Sequence, residues 1–408
     1  MVTGTRAEFG LLRPVVDAML AKKRLRVSLV VSGAHFVTGT WREIERSGYA
    51  IAGKVRMQKK GEAGMAADAA ALGRGVSGFT KVFSQLRPDV VMVLGDRIEA
   101  FAAASAAAIG GQHVAHIHGG DRAEGVADES MRHAISKLAH IHFPASKASM
   151  QRLIRMGEER ARVYCVGSPA VDGLEGLVGE VAEQPRVIVL QHPVGEADKR
   201  EQAWMLGTLK GVARYVKGHA GEGGVLVLEP NVDAGRDGVI RGIEIFQQAC
   251  QKQSAGKGGV ASGQKKVGRG VGAAAADQVD GGVHGGRGLQ KEWGWRFVSH
   301  VPRKEFVSLV AGALMVVGNS SAGLIEAAAL KTPAVNIGPR QNGREKPKSV
   351  VDCDYGEVAV AAAMQRAAEL RLRRMKHPYG DGTAGKQIAK VLGGLNLRKV
   401  SLRKQNTY

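Results

Sequence analysis

Short apolar runs, each closed by glycine or a polar cluster, recur along this chain. Val27-Ser28-Leu29-Val30-Val31 stops at Ser32-Gly33. Asp89-Val90-Val91-Met92-Val93-Leu94 stops at Gly95-Asp96, and Val114-Ala115-His116-Ile117 at His118-Gly119-Gly120. The second half repeats the style. Arg186-Val187-Ile188-Val189-Leu190 leads to Gln191-His192-Pro193, and Val225-Leu226-Val227-Leu228 to Glu229-Pro230-Asn231. Leu314-Met315-Val316-Val317 leads to Gly318-Asn319-Ser320-Ser321, and Pro333-Ala334-Val335-Asn336-Ile337 to Gly338. Continuous apolar runs ended by glycine suit parallel strands covered on both faces. Ala-rich helical stretches lie between them, such as Ile98 to Ile109 and Glu129 to Leu138. Strand–loop–helix alternation in both halves predicts an α/β protein of two doubly wound, Rossmann-like domains. We place them at 1–170 and 171–365, divided near Gly167-Ser168-Pro169, with 366–408 as a basic C-terminal helix or tail.

Two stretches break the pattern. Residues 251–290 hold 12 Gly among 40 residues and almost no large apolar side chain. Such a segment cannot bury enough surface to offset ordering, so 251–292 reads as a disordered insert. Regular structure resumes at Trp295-Arg296-Phe297-Val298. At the N-terminus only Met1 and Val2 precede the Thr3-Gly4-Thr5-Arg6 turn, so the first strand is nearly missing and reads as truncated.

Composition narrows the picture. A length of 408 residues suits about two domains. No apolar run reaches the ~18 residues of a membrane span, and the start lacks a basic n-region and an apolar h-region, so a soluble, non-secreted protein is expected. Cys165, Cys250 and Cys353 are far apart, which suits a reducing, cytoplasmic compartment. The net charge of +20 raises the possibility of a nucleic-acid partner. Its distribution argues otherwise. Residues 251–290 carry six Lys/Arg against two Asp (+4), and residues 366–408 carry eleven against Glu369 and Asp381 (+9). Thus +13 of the +20 sits in an insert and a tail, with no interleaved aromatics for stacking bases. Solvated charge and an anionic small substrate explain it better.

In open α/β sheets, ligands bind at the C-terminal ends of the strands, where every polar cluster above falls. The Thr3-Gly4-Thr5-Arg6 turn lets backbone approach a ligand and puts a helix start beside it. Gly318-Asn319-Ser320-Ser321-Ala322-Gly323 offers two hydroxyls and backbone N–H groups to a diphosphate. Glu326 follows, where a carboxylate can accept from ribose hydroxyls, and Arg340 can complete the anion site. Ser320 capping the helix is the plainer alternative. Asp96, Asp121 and Asp128, in a Gly- and His-rich setting, suit proton transfers at a sugar carbon. Arg132 and the histidines can help a diphosphate leave. Asp128 can equally be a helix cap with Arg132 as its i+4 partner. The spacing of acids and histidines matches none of the usual helical metal-ligand pairs. His192 stands at a strand end facing the interdomain cleft.

Taken together, Gly95-Asp96-Arg97, His116-Ile117-His118-Gly119-Gly120-Asp121 and Asp128-Glu129-Ser130-Met131-Arg132-His133 resemble the UDP-N-acetylglucosamine 2-epimerase family, in its hydrolysing branch of sialic-acid-type pathways. Gly318-Asn319-Ser320-Ser321, Asn336-Ile337-Gly338-Pro339-Arg340-Gln341, Leu190-Gln191-His192-Pro193 and Glu229-Pro230-Asn231-Val232-Asp233-Ala234-Gly235 extend the likeness from residue 2 to about 352, outside the insert. The resemblance implies a glycosyltransferase-B-type fold with a UDP-sugar in the cleft, a homo-oligomer (dimer or tetramer), and no metal or redox cofactor. It implies a 2-acetamidoglucal intermediate, with release of UDP and N-acetylmannosamine. By match, Asp96, Asp121 and Asp128 inherit acid–base duties. Arg6, His35, His118, Arg132, His192, Ser320, Ser321, Glu326 and Arg340 inherit substrate binding. Part of the family has Glu where His118 and Asp121 stand, so the division of proton transfers among the three acids stays open.

Competing readings are a non-hydrolysing UDP-sugar 2-epimerase, a hydrolase of a UDP-2,4-diacetamido-trideoxy sugar, a glycosyltransferase of the same fold, an inactive relative, and a basic nucleic-acid-binding protein. The insert is expected to be dispensable, because lengthening a loop costs only about 0.6 kcal/mol per doubling. Replacing 252–290 with a short Gly-Ser linker should leave circular dichroism and turnover unchanged; a folded but inactive variant would make the segment functional.

Overall fold

Twelve short parallel strands carry the described residues. In the computed structural model the first half holds β1 (Val2–Thr3), β2 (Leu29–Ser32), β3 (Ile51–Val55), β4 (Val90–Leu94), β5 (His113–Ile117) and β6 (Ile141–Phe143). The second half holds β7 (Pro185–Leu190), β8 (Gly224–Leu228), β9 (Gly294–Val298), β10 (Met315–Gly318), β11 (Ala334–Ile337) and β12 (Val350–Cys353). The structure describes residues 1–62, 64–122, 128–219, 224–231, 233–256, 294–372 and 375–407; of Asp128 and residues 253–256 only the backbone is described.

The second half is one six-stranded sheet, β12-β11-β10-β7-β8-β9, every pair parallel. The connection reverses direction between β7 and β10, which is the doubly wound order. The first half follows the same order in two ladders, β1-β2-β3 and β4-β5-β6. β1 and β4 lie side by side without forming a ladder. β1 has only two residues to offer, and the Met1 ammonium already donates to Ser28 O at 2.8 Å. Both halves are thus Rossmann-like, as the strand pattern predicts.

Burial explains the near-unbroken apolar strands. Val187, Val189, Val225, Val227, Val317 and Ile337 pack under the helices Asp198–Gly218 and Glu357–Ala368. Ile188, Leu226, Val316 and Ala334 face the other layer with Leu309 and Val310. In the first half Ala100, Ala103, Ala104 and Ala107 bring the helix Ile98–Ile109 close onto the sheet. Three strands escape sequence patterning. β3 reads Ile-Ala-Gly-Lys-Val, β6 has three residues, and β12 is an edge strand ending in Asp352-Cys353.

The sequence places an insert from residue 251, but the helix Arg236–Gly256 runs on through six further residues. The rest of that stretch, from 257, lies outside the described residues. The C-terminal segment is not a solvated tail. After the helix Glu357–Ala368 the chain returns to the first half, where the helix Ala384–Gly394 packs on the helix Arg6–Leu20. Ala384 and Ile388 share a core with Leu12, Val15, Met92 and Ile117. No described helix is long and apolar enough to cross a membrane.

β10 ends in a glycine that tolerates no replacement. Gly318 has φ +143°, and an added Cβ would stand 2.1 Å from Leu190 O on β7. Gly318→Ala should therefore lose about 2 kcal/mol or more, measurable as a lower urea midpoint; an unchanged midpoint would contradict this packing.

Candidate active site

The turn after β4 and the turn after β5 build one wall of the cleft. Asp96 follows Gly95, and its carboxylate forms an ion pair with Arg132. Arg132 projects from the helix Asp128–Leu138, is 2 % exposed, and also donates to Asp121 O at 3.1 Å. A guanidinium in such a place needs charged and carbonyl partners. Burial first, then Arg344 and Arg152, push its pKa down to about 9, so it stays cationic near neutrality.

After β5 the backbone turns sharply. His118 adopts φ +64°, and Gly120, at φ +76°, passes so close to the next helix that a Cβ would stand 2.4 Å from Ser149 O. This turn carries Asp121 inward to 3 % exposure. Its Oδ1 accepts from Ser149 Oγ at 2.6 Å, and its Oδ2 lies 2.8 Å from His118 Nδ1. His118 Nε2 lies 2.9 Å from Ser168 Oγ, completing a buried Asp121–His118–Ser168 row. Burial opposes ionisation of Asp121, but the His118 ring and the Ser149 hydroxyl prevail and hold its carboxyl below the usual range. Both His118 nitrogens are engaged inside the protein. His118 therefore orients Asp121. The Asp128 backbone opens the Arg132 helix; its side chain lies outside the described part.

Beneath this wall sits His116, fully buried. Its Nε2 donates to Gly95 O at 2.7 Å, and its Nδ1 meets Ser136 Oγ at 3.1 Å. Burial keeps the ring neutral, with the pKa lowered to about 3. His35 is likewise fully buried, between Thr3 Oγ1 at 3.2 Å and Thr40 Oγ1 at 2.9 Å, with its pKa lowered to about 4 by burial. It is thus held in the floor beneath the first-half strand ends by two threonines. Arg6, which starts its helix, pairs with Glu43 at 2.9 Å, half exposed.

The opposite wall comes from the turns after β7, β8 and β10. Asn319, fully buried, accepts from His192 N at 2.7 Å and donates to His192 O at 2.8 Å, locking two strand ends together. His192 Nδ1 accepts from the Asn231 N–H at 3.1 Å, so the ring's proton is on Nε2, aimed at Ser320 Oγ 3.3 Å away. Burial first, then Arg340, lower this ring's pKa to about 3. Ser320 Oγ also accepts from Ala322 N at 3.3 Å, which caps the short helix Ser321–Leu324. Capping and ligand binding are compatible, because the hydroxyl keeps its own hydrogen to donate. The helix breaks at Ile325 before Glu326–Ala329, so hydroxyls and local N–H groups, rather than a long helix dipole, make this surface attractive to anions. Arg340 Nη1 donates to Asn319 O at 3.4 Å. Glu326 is buried 3.5 Å from Arg303, whose Nη2 donates to Ala170 O at 2.8 Å.

Charges also meet between the walls. Asp233 lies 4.0 Å from Arg97 on one side and 3.8 Å from Arg340 on the other, and Arg344 Nε donates to Arg122 O at 3.1 Å. The structure thus gathers Asp96, Asp121, His118 and Arg132 on one wall and His192, Ser320, Ser321 and Arg340 on the other. Arg6 and His35 lie at the first-half strand ends, and Glu326 is held back by Arg303. Sequence reasoning left Ser136, Ser149, Ser168 and Asn319 without a role. Ser168 stood in the Gly-Ser-Pro boundary and Asn319 beside two serines, but which polar side chain turns inward is a tertiary fact. Among the described residues no group of three or more His, Cys, Asp or Glu side chains could hold a metal ion.

Two Rossmann-like domains, one bearing carboxylates and the other hydroxyls and an arginine at their strand ends, make a glycosyltransferase-B-type fold. The model of the UDP-N-acetylglucosamine 2-epimerase family matches residues 17–250 and 281–393, and the chain belongs to that family. It is 32% identical to UDP-N,N'-diacetylbacillosamine 2-epimerase (hydrolyzing) of Legionella pneumophila, over 100% of this chain and 98% of the relative. It is 28% identical to UDP-N-acetylglucosamine 2-epimerase of Neisseria meningitidis, over 99% and 97%. The fold matches that of Methanocaldococcus jannaschii UDP-GlcNAc 2-epimerase, solved in complex with UDP-GlcNAc and UDP. The TM-score is 0.72 at 16% identity, covering 96% of this chain and 98% of that one.

Asp96→Asn and Asp121→Asn should each lower turnover about a hundredfold in folded protein, the usual weight of a general acid or base. Asp128→Asn separates catalysis from capping, since Asn caps as well as Asp: a hundredfold loss marks a proton carrier, and wild-type turnover a cap. Ser320→Ala and Arg340→Ala should weaken UDP binding roughly ten- to a hundredfold, at about 1.5–3 kcal/mol per hydrogen bond to a charged group. Calorimetric titration with UDP checks this, and unchanged affinity in both would remove the cradle.

Proposed function

We propose that this protein is a hydrolysing 2-epimerase of a UDP-2-acetamido sugar. It converts UDP-N-acetylglucosamine and water to UDP and N-acetylmannosamine for sialic-acid-type synthesis. The observation that carries the reading is the Asp121 carboxylate, held ionised by His118 and Ser149 beside the Asp96–Arg132 pair. In this reading one carboxylate removes the C2 proton as the C1–O bond to UDP breaks, leaving 2-acetamidoglucal. Arg132 and Arg340 offset charge as it develops on the leaving diphosphate. Water then adds its oxygen at C1, losing a proton to a carboxylate, as a second acid returns a proton to C2 from the other face. The three aspartates share these transfers; no metal or redox cofactor is required. We assign the protein to the cytoplasm and to a homo-oligomer.

A second substrate has a specific observation behind it. The Legionella relative, similar over the whole chain, is named for UDP-N,N'-diacetylbacillosamine, a 2,4-diacetamido-trideoxy sugar nucleotide. The chemistry at C1 and C2 is the same; only the ring's C4 and C6 substituents differ.

Incubation with either sugar nucleotide in deuterated buffer containing EDTA, followed by NMR, tests both. UDP and a free sugar bearing deuterium at C2 are expected. A product still attached to UDP would move the protein to the non-hydrolysing reaction. Activity abolished by EDTA and restored by a divalent ion would overturn the metal-free chemistry.

A further inference from the structure

The last residues of the chain cross the back of the first half, away from the cleft. Val400 O and Leu402 O accept from His113 Nε2 at 2.8 Å and His140 Nε2 at 3.2 Å. Asn406 Oδ1 accepts from Lys137 Nζ at 2.6 Å, and Thr407 N donates to Gly157 O at 3.1 Å. At the centre lies Glu158, its side chain 1% exposed. Three cationic or protonatable groups converge on it: His142 Nε2 at 2.9 Å, Lys137 Nζ at 2.9 Å and Lys404 Nζ at 2.6 Å. Burial alone would raise this carboxyl, but His142 and Lys404 prevail and bring it down to about 2.

The Lys404 ammonium does more than pair with Glu158. It donates to Lys137 O at 2.8 Å and Ser136 O at 3.3 Å, in the last turn of the helix Asp128–Leu138. A helix C-terminus leaves carbonyls without intrahelical partners and favours a cation there. This is the helix that carries Arg132. From Ser136 the contacts continue through His116 to Gly95 O, the residue before Asp96. The tail thus sits at one end of a continuous row, and the Asp96–Arg132 pair at the other.

We propose that Lys404 is a positioning residue: by clamping the last turn of the Arg132 helix, the C-terminal tail holds Arg132 and, through Ser136 and His116, Asp96 in reacting register. The proposal rests on the reading of Asp96 and Arg132 as part of the reacting centre. Misplacement of reacting groups by about 1 Å can cost a hundredfold in rate, whereas nucleotide affinity, which the proposed Ser320–Arg340 cradle carries in larger part, falls less.

Three full-length variants test it. Lys404→Met keeps the aliphatic stem and loses the ammonium, Lys404→Arg keeps the charge, and Glu158→Gln weakens the anchor if the first variant fails to fold. Turnover of whichever UDP-sugar the wild type consumes, calorimetric UDP affinity, and hydrogen–deuterium exchange over 129–138 are measured for each. Lys404→Met, or Glu158→Gln in its place, should lower kcat about tenfold or more, with a smaller loss of UDP affinity and faster exchange in 129–138; Lys404→Arg should restore most of the rate. Folded Lys404→Met with wild-type kcat, or with unchanged exchange over 129–138, overturns the proposal. A wild type that consumes no UDP-sugar fails the functional reading, and the exchange measurement then decides the clamp by itself.

Discussion

A guanidinium removed from water must recover its lost hydration from fixed partners. Arg132 imposes that demand at the centre of this molecule. Meeting it requires the turn after β4 to present Asp96 and the turn after β5 to present Asp121 O, while the helix Asp128–Leu138 holds the stem. The glycines follow from the same demand. Gly119 lies where a Cβ would stand 2.9 Å from His116 Nδ1, and Gly120 where one would strike Ser149 O, so only a bare backbone can bring the turn after β5 to the arginine. One buried charge thereby ties loop sequence to helix placement.

The second half solves a different problem with neutral groups. Asn319 and His192 exchange backbone–side-chain hydrogen bonds, and the Asn231 N–H fixes the His192 tautomer. Ser320 is set by that network before any ligand arrives. Such preorganisation leaves little side-chain freedom to lose on binding. In the proposed reading the charge to be recognised is the ligand's own, and Arg340, 3.8 Å from Asp233, stands beside Ser320.

Much of this was legible in the chain. Strands in both halves, the two doubly wound domains and the polar clusters at strand ends follow from apolar runs closed by glycine, because fully buried parallel strands require that pattern. β3 and β6 were not, since a Gly-Lys pair and a three-residue strand carry too little periodicity. Asp96 and Asp121 stand beside glycines and histidines at strand ends, so their place in the fold was readable. The partners of His35 and His118 were not, because Thr3, Thr40 and Ser168 are distant from them in sequence. The same limit hid the tail. Lys404 reads as one more solvated cation until Glu158 is found beneath it.

Ser168 N donates to Tyr379 O at 2.7 Å, and Asp172 accepts from the backbone of Ala384 and Gly385 at 2.9 and 2.6 Å. The outgoing and returning connections between the halves are therefore stitched side by side, and Gly167 and Gly380 pass so close that neither has room for a side chain. The core of the first half includes Ala384 and Ile388. On a ribosome that delivers the chain from its N-terminus, this domain emerges first and closes last. Its hydrophobic face at Leu12 and Val15 must wait, through the synthesis of the entire second domain, for the residues that cover it.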